Sequence, residues 1–405
     1  MRINMPRLER RSFLQSLAAL PGLGALGAAS AGSALAKAAP RDVIRELGVR
    51  TIINAAGTYT SLTASLMPRP VFEAMDVASR KYVPLGDLHD AVGKRIAELT
   101  HCEAALVSAG AASALSIGTA ACVAGQDRAK IQRLPETAGM KNEVIFQKSH
   151  RFGYDHAVRN VGVTIVEVET VQDLEAAVND KTAMMFFLNH EANAGKIGVE
   201  EFARLGKKNG VPTMIDAAAD VPPVENLWRF TEMGYSLVVF SGGKGIRGPQ
   251  SAGLLLGRQD LIEAGRMNSS PNSDTLCRTN KVNKEELVGM LVALEMFVNQ
   301  DHKATWKEWE DRCARIAAFI NKIPGVKTEV KVPEIANQVP HLHITWDYQA
   351  SGLQPNEAAK AMREGSPSIE VRPGSEEELV IGVWMLEPGE DRIVGRRLKE
   401  VLEQG

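Results

Sequence analysis

The apolar positions of this chain fall into short blocks separated by polar, Gly- and Pro-containing stretches, and the blocks alternate between two periods. Unbroken apolar runs predict strands over 104–108, 143–146, 163–168, 183–188, 213–216, 237–240 and 253–256. Between them, apolar residues recurring every three or four positions predict helices over 92–100, 114–124, 171–178 and 199–209. Strands alternating with helices argue for an α/β fold built on a mostly parallel sheet with right-handed crossovers. Beyond residue 285 the order changes. Helices over 287–298 and 306–320 precede strands over 326–332 and 341–345, which reads as a smaller C-terminal α+β domain. The expected organisation is a leader over 1–36, an N-terminal segment over 37–70, a large domain over 71–285 and a small domain over 286–405.

Parallel sheets collect ligands at the carboxyl ends of their strands. His150, Asn189, Asp216 and Lys244 all fall at or just past such an end. Lys244 lies in a Gly-rich turn, Ser241-Gly242-Gly243-Lys244-Gly245-Ile246-Arg247-Gly248-Pro249-Gln250, between two apolar runs. An amine held between buried strands titrates low, and a neutral amine is a nucleophile able to form a Schiff base. The alternative is a surface hairpin with a solvated lysine. A phosphate-binding P-loop is excluded, because Gly245 rather than Ser or Thr follows the lysine. Asp216 ends an apolar strand and precedes three alanines, so it either needs a cationic partner or caps the turn after it. Ala109-Gly110-Ala111-Ala112-Ser113 joins a strand to a helix and presents free N–H groups where a phosphate can sit.

Composition changes this picture little. A 44% apolar, 24% charged chain of 405 residues with net charge -2 gives no electrostatic reason to expect a nucleic-acid partner. Four scattered cysteines form neither a zinc framework nor a disulfide scaffold. His341 and His343 share a strand face without a third ligand nearby, so no metal is expected. The amino terminus does add something. Arg10-Arg11-Ser12-Phe13-Leu14, an Ala/Gly-rich run and Ala34-Leu35-Ala36 describe a twin-arginine export signal cleaved near Ala36, hence a periplasmic mature protein. Pro21, Gly22, Gly24 and Gly27 interrupt that run, and no stable membrane insertion is expected.

The lysine turn resembles that of the bacterial selenocysteine synthase / D-glucosaminate-6-phosphate ammonia-lyase group of fold-type I pyridoxal-phosphate enzymes. Ile53-Asn54-Ala55-Ala56-Gly57-Thr58, Tyr154-Asp155-His156-Ala157, Ile215-Asp216-Ala217-Ala218 and Trp384-Met385-Leu386-Glu387-Pro388-Gly389 resemble the ammonia-lyase-like branch. The likeness runs from about residue 43 to the C-terminus. It implies an aspartate aminotransferase-like fold and pyridoxal 5'-phosphate as cofactor. It also implies that Lys244 carries the cofactor and moves the α-proton, and that Asp216 pairs with the ring nitrogen. By the same resemblance Gly110, Ala111, Ala112 and Ser241 seat the phosphate, His150 sits against the ring face, and Asn189 or Asn193 reaches the ring oxygen. Thr58, Arg247 and Arg372 are the substrate-side candidates. Arg372 is either a carboxylate grip or a surface arginine on an edge strand. The selenium-transferring members carry an N-terminal tRNA module, and no room for one lies between Ala36 and the start of the likeness. The expected substrate is therefore a small amino acid, undergoing α,β-elimination to a 2-oxo acid and ammonia, in a homo-oligomer of at least two subunits. Racemisation, transamination and aldol cleavage share the same first steps, and an exported binding protein without catalysis is the reading of another class.

Overall fold

The computed structural model describes residues 41–372 and 375–404. The export signal read from 1–36 lies outside the described residues. Residues 41–50 hold one helical turn, Val43–Glu46, capped by Asp42, whose side chain accepts from the Arg45 N–H. The remainder carries three sheets.

The largest has seven strands: β2 (Ala104–Ser108), β3 (Glu143–Gln147), β4 (Thr164–Val168), β5 (Thr182–Leu188), β6 (Thr213–Asp216), β7 (Leu237–Ser241) and β8 (Gly253–Gly257), following β1 (Ile52–Ala55) in the chain. Their spatial order is β2-β8-β7-β6-β5-β3-β4, and only the two pairings made by β8 are antiparallel. The strands are short, continuous and apolar because both faces are covered. Val107, Ile145, Phe187, Ile215 and Phe240 pack on one side, while Leu106, Phe146, Phe186, Val239 and Leu255 pack on the other. This is the α/β, aspartate aminotransferase-like arrangement expected.

Two smaller sheets follow from the later strands β9 (Lys327–Lys331), β10 (His341–Thr345), β11 (Ser368–Val371) and β12 (Leu379–Gly382). An antiparallel β12-β10-β9 sheet shares one apolar cluster with helices His302–Ile320 and Glu390–Gln404. β1, the first strand, pairs in parallel with β11, near the chain's end. The segment 51–55 is thus built into the C-terminal part, a long-range pairing that its local pattern did not announce. Among the described residues no helix is long and apolar enough to cross a membrane.

Candidate active site

Register fixes the site. Asp216 is level with Leu188 on β5 and Val239 on β7, so Asn189, Asp216 and the turn after Ser241 share one edge of the sheet. On the antiparallel strand β8, Gly253 is level with both Ser108 and Ser241. That brings the start of helix Gly110–Ala124 to the same edge. A side chain at Gly253 would put its Cβ 2.5 Å from the Gly110 carbonyl carbon and 2.7 Å from the Ala111 nitrogen. Only glycine permits this approach of strand to helix terminus. No acidic residue occupies the helix's first turn and no side chain caps it. The Gly110, Ala111 and Ala112 N–H groups therefore stand beside Ser241 with the positive end of a 15-residue helix behind them. Ser113, one residue further on, carries a buried hydroxyl without a hydrogen-bond partner among the described residues.

Asp216 is 7% exposed and accepts one hydrogen bond, 3.0 Å from the Ala218 N–H. Burial raises its pKa, and Lys244 and His190 pull it back. Lys244 is half-buried, and burial lowers its pKa against the opposing pull of Asp216 and Asp220. Among the described residues its amine makes no hydrogen bond or ion pair. A buried carboxylate lacking a cation, an amine held towards neutrality and a ready anion seat fit pyridoxal phosphate: ring nitrogen, aldehyde carbon and phosphate each meet a complementary group.

Asp220 was not singled out by the sequence. It is 2% exposed, accepts from Asn189 Nδ2 at 2.8 Å, and receives the Ala336 backbone N–H. Burial, then the neighbouring Asp216, push its pKa up to about 6. The Asn337 N–H donates to the Ala219 carbonyl at 2.7 Å, so the loop before β10 is fastened to this turn. An acid four residues beyond Asp216 was the available signal, but the intervening alanines suggested only a turn.

The other predicted residues divide. Thr58, Lys244 and Arg372 line one small cavity together with Tyr59, Asn337, His341 and Trp384. Arg372 Nη1 lies 3.2 Å from His341 Nε2. Burial and Arg372 push the His341 pKa down to about 4, so the ring is neutral at pH 7. His150 is fully buried away from that cavity. Its Nδ1 accepts from the Leu188 N–H at 3.1 Å, and its ring meets Phe187 edge-on at 4.5 Å. Burial pushes its pKa down to about 4. Arg247 donates to Glu387 Oε1 and to the Leu66 carbonyl, both at 2.9 Å, and braces the lysine turn. Asn193 reaches Glu334 instead. Asn54 accepts the Ala56 and Gly57 N–H groups at 3.1 and 3.0 Å, folding the small-residue segment that bears Thr58.

The family model for L-seryl-tRNA selenium transferase matches residues 52–308. The chain belongs to this family. The chain is 31% identical to a 5'-C-glycyluridine monooxygenase-decarboxylase of Streptomyces sp, an alignment covering 88% of this chain and 91% of that one. It is 27% identical to the D-glucosaminate-6-phosphate ammonia lyase of Salmonella typhimurium, over 89% and 98% of the two chains. A solved structure of D-glucosaminate-6-phosphate ammonia-lyase superposes with a TM-score of 0.78 at 25% identity, over 90% of this chain and 98% of that one. A structure of SPT with PLP shares the fold alone, with a TM-score of 0.56 at 12% identity over 87% and 89% of the chains. The family, these relatives and the fit of the site make the chain a fold-type I enzyme that uses pyridoxal 5'-phosphate.

Proposed function

We propose that the protein is a lyase that converts a small hydroxy amino acid into a 2-oxo acid and ammonia. The observation that carries this reading is that the unpartnered Lys244 amine opens on the same cavity as Arg372, with Asp216 on the adjoining strand. Bound pyridoxal phosphate supplies an electron sink that weakens the bonds at the substrate's α-carbon. Asp216 would hold positive charge at the ring nitrogen, and the helix start at Gly110, Ala111 and Ala112, with Ser241, would hold the phosphate. Asn189, steadied by Asp220, would pair with the ring oxygen, while His150, buried in the core against Phe187, is not given the ring-face role expected of it. Lys244 Nζ, kept towards its neutral form by burial, takes the α-proton. Arg372 grips the substrate carboxylate, and Thr58 closes the wall beside it. The β-hydroxyl leaves as water, and the unsaturated amine left behind takes water back to give the oxo acid and ammonia.

Loss of the carboxylate, which the name of the Streptomyces relative brings to mind, is the second reading. A guanidinium at the carboxylate stabilises it before reaction and so opposes decarboxylation. The protein is exported folded through a twin-arginine leader cut near Ala36. It works as a homo-oligomer, in keeping with exposed Phe72, Val77, Tyr82 and Val83 on and after helix Arg69–Ser79. Holoenzyme incubated with each enantiomer of serine and threonine tests the reaction. Ammonia with 2-oxo acid is expected; appearance of the enantiomer or of carbon dioxide in their place rejects the lyase assignment.

A further inference from the structure

The cavity shared by Lys244 and Arg372 has three properties that together define a ligand. Its volume is about 100 Å³. On a scale where one water needs about 10–15 Å³ of such space, that is room for several waters or one small molecule. Among the described residues lining it, Lys244 and Arg372 are the cations. With Lys244 committed to the cofactor, one fixed positive charge remains. Arg247, the next arginine along the lysine turn, is already neutralised by Glu387.

The third property is polar. Trp384 is 5% exposed and His341 1%. Among the described residues, Trp384 Nε1 and Asn337 Oδ1 are buried without a hydrogen-bond partner, and both residues line the cavity. Indole N–H only donates, whereas an amide oxygen only accepts. A hydroxyl does both, so it can pair with either group; a methyl group pairs with neither. A phosphate adds nearly two negative charges with no cation there to receive them.

We propose that this cavity selects a small amino acid bearing one carboxylate and an uncharged, hydroxylated side chain, read by Trp384 and Asn337, and rejects the phosphorylated counterpart. The inference rests on Lys244 being the cofactor lysine and narrows the substrate class of the lyase. It separates this chain from the Salmonella relative, whose name specifies a phosphate ester.

Calorimetric titration of holoenzyme with both enantiomers of serine, alanine and O-phosphoserine tests it, with ammonia release measured separately. Serine is expected to bind at least tenfold more tightly than alanine, and O-phosphoserine at least tenfold more weakly than serine. Trp384→Phe should bring the serine-to-alanine ratio within about threefold of unity. Asn337→Gly should act in the same direction, and glycine suits the φ of 46° at that position. O-phosphoserine binding as tightly as serine, or both variants keeping the ratio, overturns the proposal. Selective serine binding without ammonia sinks the lyase reading and leaves this one standing. Ammonia released faster from O-phosphoserine than from serine does the reverse.

Discussion

The two sides of the site are built on different terms. On the large sheet, Asn189, Asp216 and Ser241 come from three strands that are neighbours in space, each ending at the same edge. Backbone hydrogen bonds fix their level, so the placement of a charged group there depends on little besides the strand that carries it. The opposite wall gathers Thr58, Asn337, His341, Arg372 and Trp384 from five separate segments. Its geometry depends on loops and on the pairing of β1 with β11. The rigid side positions charge and suits a cofactor common to many enzymes; the assembled side positions hydrogen-bonding groups and carries the substrate contacts proposed above.

The most severe way to break the rigid side is Lys244→Ala. It should abolish the Schiff-base absorbance of the holoenzyme and lower kcat by about 10³-fold or more, while circular dichroism stays native. Asp216→Asn keeps the shape and removes the charge. A loss of about 10²- to 10³-fold in kcat, with weaker retention of the cofactor on dialysis, is expected; unchanged retention would detach Asp216 from the ring nitrogen.

Asp220 lies on the seam between the two sides, and its titration sharpens the contrast. Its folded pKa, pushed up to about 6, exceeds the ordinary carboxylate value of 3.8, so the native state holds the proton more firmly than the unfolded chain. Stability from this group is present below about pH 4 and is lost as pH rises to about 6, on the order of 2–3 kcal/mol. Asp220→Asn should flatten that part of the apoprotein's stability curve, as read by denaturant titration from pH 4 to 7. Curves that stay parallel would show that the acid is ionised throughout. The mildest test falls on the assembled wall. Arg372→Lys keeps the charge but loses the paired hydrogen bonds, and should raise KM about tenfold or more with a smaller change in kcat.

The sequence was most informative where one strand sufficed. Strands β2, β6 and β10 and helix Val199–Asn209 lie where their patterns put them, because each is a local period buried by its own neighbours. Lys244 and Asp216 were legible for the same reason: a charge at the end of an apolar run is conspicuous. Asp220 and Asn337 were not, since burial comes to them from segments more than a hundred residues apart. His341 drew notice only as a metal candidate with His343, and the structure gives those rings to Arg372 and Glu378 respectively. Arg247 stood out as a charge near the lysine, yet its partner Glu387 lies 140 positions away.

By itself, the order of residues determined the alternation of strands and helices, the lysine turn and the anion seat at a helix start. Each depends on contacts within a few dozen residues. Tertiary structure alone decided which polar groups line the cavity beside Lys244, how far burial raises the two acids, and which arginine is left without a carboxylate partner among the described residues. Those are settled by burial and by partners distant in the chain, and Coulomb energies and hydrogen bonds depend on separation in space.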